Sequence, residues 1–179
     1  VTLTACSFNT TRAFSDFTGP LNAQSSLLYR LNLGYENTDG FRALQALTTY
    51  TVAPSITYVA SERTRFNADL MISANNGKID RGLAVFGDGH LSSRTITASQ
   101  SADNDYLREK NINLTLGLTH RLAQDLLFNS TYLYSTYDED MMEHSQDNAY
   151  VKLAYGTDAP YRVLMRLPKR YRLFRNHSF

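Results

Sequence analysis

The 179-residue chain contains no tryptophan and only one cysteine, Cys6. A single cysteine cannot form an internal disulfide, and it excludes a zinc site built from several cysteine ligands. No stretch approaches the roughly 20 apolar residues that a membrane-spanning helix requires. The chain does not begin with methionine, and no charged-then-apolar signal peptide opens it. These residues therefore predict neither a disulfide scaffold nor a helical membrane anchor.

Acidic residues are missing from the end of the chain, although 18 basic and 17 acidic residues almost cancel overall. No acid follows Asp158, whereas six basic residues do: Arg162, Arg166, Lys169, Arg170, Arg172 and Arg175. We therefore predict two parts, residues 1–158 and a divergent basic tail over 159–179 that is disordered or out of frame. Arginines interleaved with aromatics also occur in nucleic-acid-binding segments. No nucleic-acid-binding fold accompanies them here, so we predict no nucleic-acid partner.

Aromatic residues are plentiful, with 12 tyrosines and nine phenylalanines, and this composition favours strands over helices. The segment LLYRLNLGYE, residues 27–36, shows how the apolar residues are spaced. Its odd positions are large and apolar, and the even positions after Leu28 are Arg30, Asn32, Gly34 and Glu36. A period of two predicts a β-strand with one apolar face and one polar face.

The same alternation recurs and predicts an all-β fold of about seven or eight antiparallel strands. It is clear in residues 27–36, 50–58, 66–74, 112–118, 126–134 and 149–155, and weaker in 10–18. The connections alternate in length. Residues 19–26, 59–64 and 121–125 are short and turn-like, whereas 37–48, 75–110 and 138–148 are longer.

Two architectures fit this pattern. A soluble β-sandwich would pack the apolar faces of two sheets together. A transmembrane β-barrel would turn its apolar faces to lipid and its polar faces to a wet interior, with short periplasmic turns and long extracellular loops. Strand cores of about 9 to 11 residues match the length that a tilted strand needs to cross a bilayer. The rhythm of the loops favours the barrel, but the pattern alone leaves both architectures open.

Catalytic motifs are scarce, and we predict that the chain is not an enzyme. The four histidines, His90, His120, His144 and His177, are scattered without a metal-binding spacing. The acidic stretch DEDMMEH (138–144) lacks the glycine-pivoted spacing of a calcium loop, so we interpret it as a solvated loop tip. GDGH (87–90) does not lie between a strand and a helix, as a phosphate-binding loop would.

Several segments resemble the barrel of TonB-dependent outer-membrane siderophore receptors, in particular the ferrichrome-type group. VTLTACSFNTTRAFSDFTGPLN resembles the first barrel hairpin of that family, and LLYRLNLGYENTDGFR resembles its next strand. YTVAPSITYVASERTRFNADL resembles a strand, a periplasmic turn and the returning strand. KIDRGLAVFGDG resembles the segment that opens a long extracellular loop. The resemblance extends from Val1 to about Tyr155.

This resemblance implies a fold and a function. Known members are barrels of about 22 strands with a lumen closed by a plug domain, and they take up ferric siderophores with energy from the TonB complex. The chain would supply about seven or eight strands of such a barrel, without the plug. We therefore expect localisation in the bacterial outer membrane, contact with its lipid, a ferric siderophore as transported ligand, and no covalently bound cofactor. TonB would act through parts that this chain lacks. The alternatives are a self-contained outer-membrane barrel with a structural or adhesive role and a soluble β-sandwich binding module.

The long connection over residues 75–110 is the best candidate for a ligand site, since long loops in compact folds are usually functional or disordered. Within it we predict ligand contacts from Arg81, Phe86 and His90. Phe86 would offer a stacking surface, and Arg81 would donate to chelate oxygens. The resemblance places family ligand contacts over residues 83–86. Alternatively, Asp80 and Arg81 pair with each other and only shape the base of the loop.

Overall fold

The computed structural model describes residues 1–83, 95–99, 101–146 and 165–178. Every regular element in those residues is a β-strand, so the predicted all-β fold is confirmed. The strands are β1 (Thr2–Cys6), β2 (Thr10–Pro20), β3 (Leu27–Asp39), β4 (Ala46–Ser61), β5 (Thr64–Gly77), β6 (Tyr106–Ala123), β7 (Leu126–Met142), β8 (Ser145–Gln146), β9 (Met165–Arg166) and β10 (Lys169–Ser178). No helix among these residues is long and apolar enough to cross a membrane.

Eight of the strands form one antiparallel sheet in the order β1-β2-β3-β4-β5-β6-β7-β10. Each strand up to β7 pairs with the next one along the chain, and β10 pairs with β7. β8 and β9 form a separate two-stranded pair. Within the described residues the eight-stranded sheet is a single open layer with β1 and β10 at its edges. A β-sandwich needs two stacked sheets, so this single layer argues against the soluble alternative.

The two ends of the sheet differ, as the sequence predicted. At one end, which we call the short-turn end, residues 21–26, 62–63 and 124–125 join the strands. At the other, the long-loop end, residues 78–105 join β5 to β6. One connection at the long-loop end is an exception. The turn between β1 and β2 is short, and its residues Phe8 and Asn9 adopt positive φ angles of 57° and 52°. Two such central residues form the kind of turn that suits a tight hairpin.

Several strands are longer than predicted. β3 runs on to Asp39 and β4 begins at Ala46, so the predicted loop over 37–48 shrinks to residues 40–45. The threonine Oγ1 of Thr48 donates to Oδ1 of Asn37 at 2.8 Å and extends this pairing. The strands of 13 to 18 residues from β3 to β7 exceed the 9 to 11 that cross a bilayer. These strands are therefore longer than a bilayer crossing requires.

The prediction of a loop over residues 138–148 is wrong, because β7 continues through Met142. Each of its acidic residues lies opposite a basic residue on one of the two neighbouring strands, which makes an extended strand favourable there. Asp138 lies opposite Lys110 of β6, and Glu139 lies opposite Arg172 of β10. β10 was not predicted as a strand, yet residues 169–178 of the basic tail supply this countercharge. The boundary predicted at residue 158 and the strand predicted over 149–155 lie outside the described residues.

The two faces of the sheet have the predicted chemistry. The apolar face exposes large side chains that a soluble protein would bury, among them Tyr50, Val52, Ile56, Tyr58, Phe66, Leu116 and Phe128. Within the described residues Met141 is the only buried hydrophobic side chain. A depression of about 420 Å³ between Ile56, Phe66, Leu116 and Tyr132 belongs to this face. The sheet is therefore a wall whose apolar face requires an apolar medium, not a layer around its own core.

Candidate functional site

The polar face of the sheet carries cross-strand pairs. The Arg12 guanidinium lies 2.8 Å from a carboxylate oxygen of Glu36, and Arg30 lies 2.7 Å from Asp16. Farther along the sheet the hydroxyl of Ser135 donates to Oδ1 of Asn113 at 2.7 Å. The members of each pair satisfy one another across neighbouring strands, which is the chemistry expected of the wet interior of a barrel wall.

A cavity of about 450 Å³ opens on this polar face at the long-loop end. Its lining is mixed, with apolar contributions from Phe41 and Leu47 and polar ones from Asn75, Lys78 and Glu109. The ammonium of Lys78 donates to the backbone carbonyl of Asp103 at 2.9 Å, so the loop between β5 and β6 closes one side. A cavity of this size, lined by both apolar and polar side chains, is compatible with a small-ligand site.

The first part of that loop is tied down by two ion pairs. Arg81 donates from Nε and Nη2 to both carboxylate oxygens of Glu143, at 2.8 and 2.9 Å. These hydrogen bonds raise the pKa of Arg81. Asp80 accepts a hydrogen bond from Nη1 of Arg42 at 3.1 Å and another from the backbone N–H of Gly82 at 2.8 Å. Asp80 and Arg81 therefore shape the base of the loop, but each pairs with a different element rather than with the other.

The last part of the loop is held by Asp105, which is 4% exposed. Its carboxylate accepts from the backbone N–H of Ala102 at 2.8 Å and from the backbone N–H of His144 at 3.0 Å, and it contacts Nδ1 of the same histidine. Burial alone would raise the pKa of Asp105, but these hydrogen bonds outweigh it and hold the pKa below the ordinary value of 3.8. The start of β6 is thus joined to the chain just beyond β7.

At the long-loop end of β6 and β7, three side chains share a hydrogen-bonded network on the polar face. The hydroxyl of Tyr137 lies 2.7 Å from Oε1 of Glu109 and 2.8 Å from Oε2 of Glu139. The two glutamates are directly opposite in register. The Tyr137 hydroxyl and the Arg170 guanidinium, 2.9 Å from Glu139, hold the pKa of Glu139 below its ordinary value of 4.5 against the effect of burial. Burial and the two carboxylates raise the pKa of Tyr137.

The predicted site residues have different outcomes. Arg81 lies at the base of the long loop, where it is engaged with Glu143, whereas Phe86 and His90 lie outside the described residues. Sequence reasoning missed Lys78, Asn75 and Glu109, which line the cavity. Asn75 and Glu109 lie opposite each other on β5 and β6, so only the strand register could have brought them together. In the described part of the chain no three acidic, histidine or cysteine side chains are grouped to hold a metal ion.

Solved structures that superpose on this chain identify its fold. FpvA of Pseudomonas aeruginosa, solved bound to heterologous pyoverdines, matches 98% of this chain with a TM-score of 0.85 at 13% identity. The ferric-catecholate import receptor Fiu of E. coli matches 96% with a TM-score of 0.76 at 17% identity. The siderophore receptor PiuA of Acinetobacter baumannii matches 93% with a TM-score of 0.76 at 18% identity.

The chain has the fold of a TonB-dependent receptor barrel. The resemblance predicted from its sequence is thereby confirmed at the level of the fold, and the predicted outer-membrane location is that of the receptors that share it. On this receptor barrel the short-turn end is the periplasmic end, and the long-loop end is the extracellular one.

A sequence relative points the same way. The metal-pseudopaline receptor CntO of Pseudomonas aeruginosa is 34% identical over 89 residues, which cover 50% of this chain and 12% of the relative. No protein-family model matches the chain. The chain spans 23% of FpvA, 28% of Fiu and 24% of PiuA, so it corresponds to about a quarter of each of these receptor structures.

Proposed function

We propose that the chain forms part of the wall of an outer-membrane receptor that takes up a ferric siderophore by a TonB-dependent mechanism. It would act as a transport protein and not as an enzyme. Receptors named for ferripyoverdine, ferric catecholate and metal-pseudopaline share its fold or part of its sequence, which supports a metal chelate as the ligand class. Coupling to TonB is proposed for the whole receptor.

The observation that carries this proposal is the cavity at the long-loop end. It opens on the polar face at the extracellular end, where a ligand arriving from outside would first meet the barrel. Its volume of about 450 Å³ falls within the range of about 300 to 1,000 Å³ for small-ligand sites. It is therefore large enough to hold a substantial part of a chelate.

The side chains around the cavity suit an iron chelate with oxygen donors. The ring of Phe41 offers an apolar surface against which aromatic or aliphatic parts of a chelate would pack. Lys78 and Asn75 provide N–H donors for chelate oxygens. The iron itself would be held by the siderophore, so no protein ligand to the metal is required. Arg81, Phe86 and His90 remain proposed contacts from the same long loop.

The ion pairs and hydrogen bonds at the base of the long loop would help binding by restricting the loop before the ligand arrives. The Arg81–Glu143 and Asp105–His144 contacts hold both ends of the long connection against the chain just beyond β7. Arg42 ties the loop between β3 and β4 to Asp80. A loop that is already ordered loses less conformational entropy when a ligand binds. The cavity rim would thus be largely formed before the chelate arrives.

The test is equilibrium dialysis of the full chain, refolded in detergent, against two ferric probes: ferric tris(acetohydroxamate) and ferric tris(catecholate). We expect saturable retention of iron with at least one probe and no retention of iron-free probe. Replacing both Phe41 and Lys78 with alanine should raise the dissociation constant of the chelate about tenfold. This corresponds to a loss of roughly 1.4 kcal/mol of binding free energy. A folded wild-type chain that retains neither probe would contradict the proposed ligand class.

A matched control comes from the same polar face at the opposite end. Thr57 and Asn67 form a hydrogen bond of 3.1 Å on β4 and β5, away from the cavity lining. Replacing both with alanine should leave retention of iron unchanged. If this control loses as much retention as the Phe41 and Lys78 variant, the chelate does not bind in the cavity at the long-loop end.

A further inference from the structure

Three arginines gather at the short-turn end of the polar face, far from the proposed ligand cavity. Arg63 lies in the turn between β4 and β5, Arg65 on β5, and Arg121 near the end of β6. Together with Glu62 they line a cavity of about 550 Å³. We call Arg63, Arg65 and Arg121 the arginine cluster.

The backbone fixes the members of the cluster close together. Arg65 lies opposite Thr119, which places Arg121 at the diagonal position on the neighbouring strand. Such diagonal neighbours are about 7–8 Å apart, within reach of long side chains. The backbone N–H of Arg121 donates to the carbonyl of Arg63 at 2.8 Å. Three arginine residues therefore border one cavity because of strand pairing, and not because of contacts that satisfy their charge.

The cluster differs from the other arginines of the polar face in how its charge is balanced. Arg12, Arg30, Arg170 and Arg172 each lie within 4 Å of a carboxylate on a neighbouring strand. Over the described residues, no ion pair or side-chain hydrogen bond involves the guanidinium of any cluster member. The cavity lining holds three arginines and a single acid, Glu62, which is a net charge of +2.

Other acids near this end do not balance the cluster. Asp69 lies on the polar face two residues beyond Asn67, between Ser55 and Thr115 in register. Asp125 lies in the next turn, between β6 and β7. Neither lines the arginine cavity. Like charges held this close repel one another, so an anion that enters the cavity relieves the repulsion as well as gaining hydrogen bonds.

We propose that the arginine cluster binds an acidic polypeptide segment that reaches the polar face from the short-turn end. Aspartate and glutamate side chains match the two-point geometry of guanidinium groups. A polypeptide is favoured over a lipid headgroup because Arg65 and Arg121 share the polar face with Asn67 and Thr119, on the opposite side of the sheet from the lipid-facing side chains. A segment with at least two carboxylates neutralises the net charge of the cavity.

The test measures the binding of fluorescein-labelled hexaglutamate to the full chain refolded in detergent, by fluorescence anisotropy. Hexaglutamine serves as the uncharged probe. We expect hexaglutamate to bind, hexaglutamine not to bind, and the dissociation constant to rise with salt. The variant Arg63→Gln/Arg65→Gln/Arg121→Gln should raise the dissociation constant about tenfold or more, since charge-assisted hydrogen bonds are lost. Heat-modifiable migration on gels verifies that each variant is folded.

The matched control is Arg12→Gln/Arg30→Gln, which removes two arginines from the same face whose charge is already balanced by Glu36 and Asp16. It should change hexaglutamate binding less than about twofold.

If the triple variant does not fold, Arg63→Gln alone, in the exposed turn, should still weaken binding severalfold. Equal losses in the control and the cluster variant, or no binding of hexaglutamate, would overturn the proposal. So would displacement of the peptide by phosphatidylglycerol vesicles at matched charge, which would assign the cluster to lipid headgroups.

Discussion

Arg81 and Glu143 form a two-point ion pair, with Nε of the arginine 2.8 Å from Oε2 and Nη2 2.9 Å from Oε1 of the glutamate. The burial of the two partners is unequal. The Glu143 side chain is 9% exposed, whereas the Arg81 side chain is 47% exposed. Removing the arginine would leave a buried carboxylate without its countercharge. The pair therefore anchors the long loop to the end of β7 more firmly than an exposed ion pair would.

The first prediction concerns this anchor. Arg81→Ala should lower the free energy of local opening of residues 78–83 by about 1–2 kcal/mol. This is the contribution of a charged hydrogen bond, reduced because the arginine is partly exposed. Amide hydrogen exchange in that segment should then accelerate about 5- to 30-fold. The exposed pair of Arg12 and Glu36 provides the control, and Arg12→Ala should leave exchange of the same amides unchanged. Unchanged exchange in Arg81→Ala would mean that the loop is held by other contacts.

The second prediction is a pH dependence at Asp105. Its pKa in the folded chain lies below 3.8, so its contribution to stability is complete above that pH and is lost as the pH falls through the folded pKa. The amides of Ala102 and His144, which donate to this carboxylate, should lose protection from hydrogen exchange only in that acidic range. Protection should be corrected for intrinsic exchange rates at each pH.

The control for this pH effect is Asp105→Asn, which keeps the size of the side chain but removes its charge. This variant should show weaker protection of the same amides at neutral pH and little further loss on acidification. A wild-type chain that loses protection well above pH 3.8 would show that another group controls the contact.

The third prediction follows from the single hydrogen of the Tyr137 hydroxyl, which cannot be donated to Glu109 and Glu139 at once. Glu109→Gln should be neutral or stabilising. The new amide can donate to the Tyr137 oxygen, while its carbonyl still accepts from Asn75, which lies 3.1 Å from Oε2 of Glu109. The urea midpoint of the refolded chain should stay the same or rise.

The matched change on the opposite strand should act in the other direction. Glu139→Gln removes the carboxylate that lies 2.9 Å from Arg170 and 3.8 Å from Arg172. We expect a destabilisation of about 1–3 kcal/mol, because Arg170 and Arg172 lose the carboxylate that pairs with them in a partly buried network. Equal effects of the two glutamine substitutions would contradict the distinct roles of the two glutamates.

The fourth prediction tests the two faces with neighbouring residues of β6. Leu116→Arg places a charge on the apolar face within the crossing part of the strand, at a cost of about 2–4 kcal/mol near the bilayer midplane. Thr115→Arg places the same charge on the polar face opposite Asp69 and should be tolerated. The folded fraction in lipid vesicles, read from heat-modifiable migration, distinguishes them. Equal tolerance of both variants would mean that the apolar face does not meet lipid.

Much of the fold could be predicted from the spacing of apolar residues. The alternation in residues 27–36 or 112–118 identifies a strand and its two faces, because a period of two follows from the pleat of any β-strand. The ends of the strands could not be predicted in this way. Residues 138–142 are acidic and read as a loop, but they continue β7 because Lys110 and Arg172 face them across the sheet. Local sequence does not contain that information.

The candidate site was predicted less well than the fold. The long loop stays a prediction as the ligand site, although Arg81 does lie at its base, where it pairs with Glu143. Its partner Glu143 is 62 residues away, and the partner of Asp80 is 38 residues away, so neither pairing can be read from neighbouring positions. The cavity lining was missed for the same reason. Asn75 and Glu109 look like ordinary polar-face residues until the register places them side by side.

By itself, the sequence determined that this chain forms strands with one apolar and one polar face, and its ordered segments pointed to a receptor barrel. Only the tertiary structure decided which charges meet. It paired the basic strand β10 with the acidic end of β7 and joined Arg81 to Glu143. It also left Arg63, Arg65 and Arg121 together, with no ion pair to a carboxylate among the described residues. The physical reason is that alternation is a local property of the backbone. Charge pairing depends on strand order and register, which are set across the whole sheet.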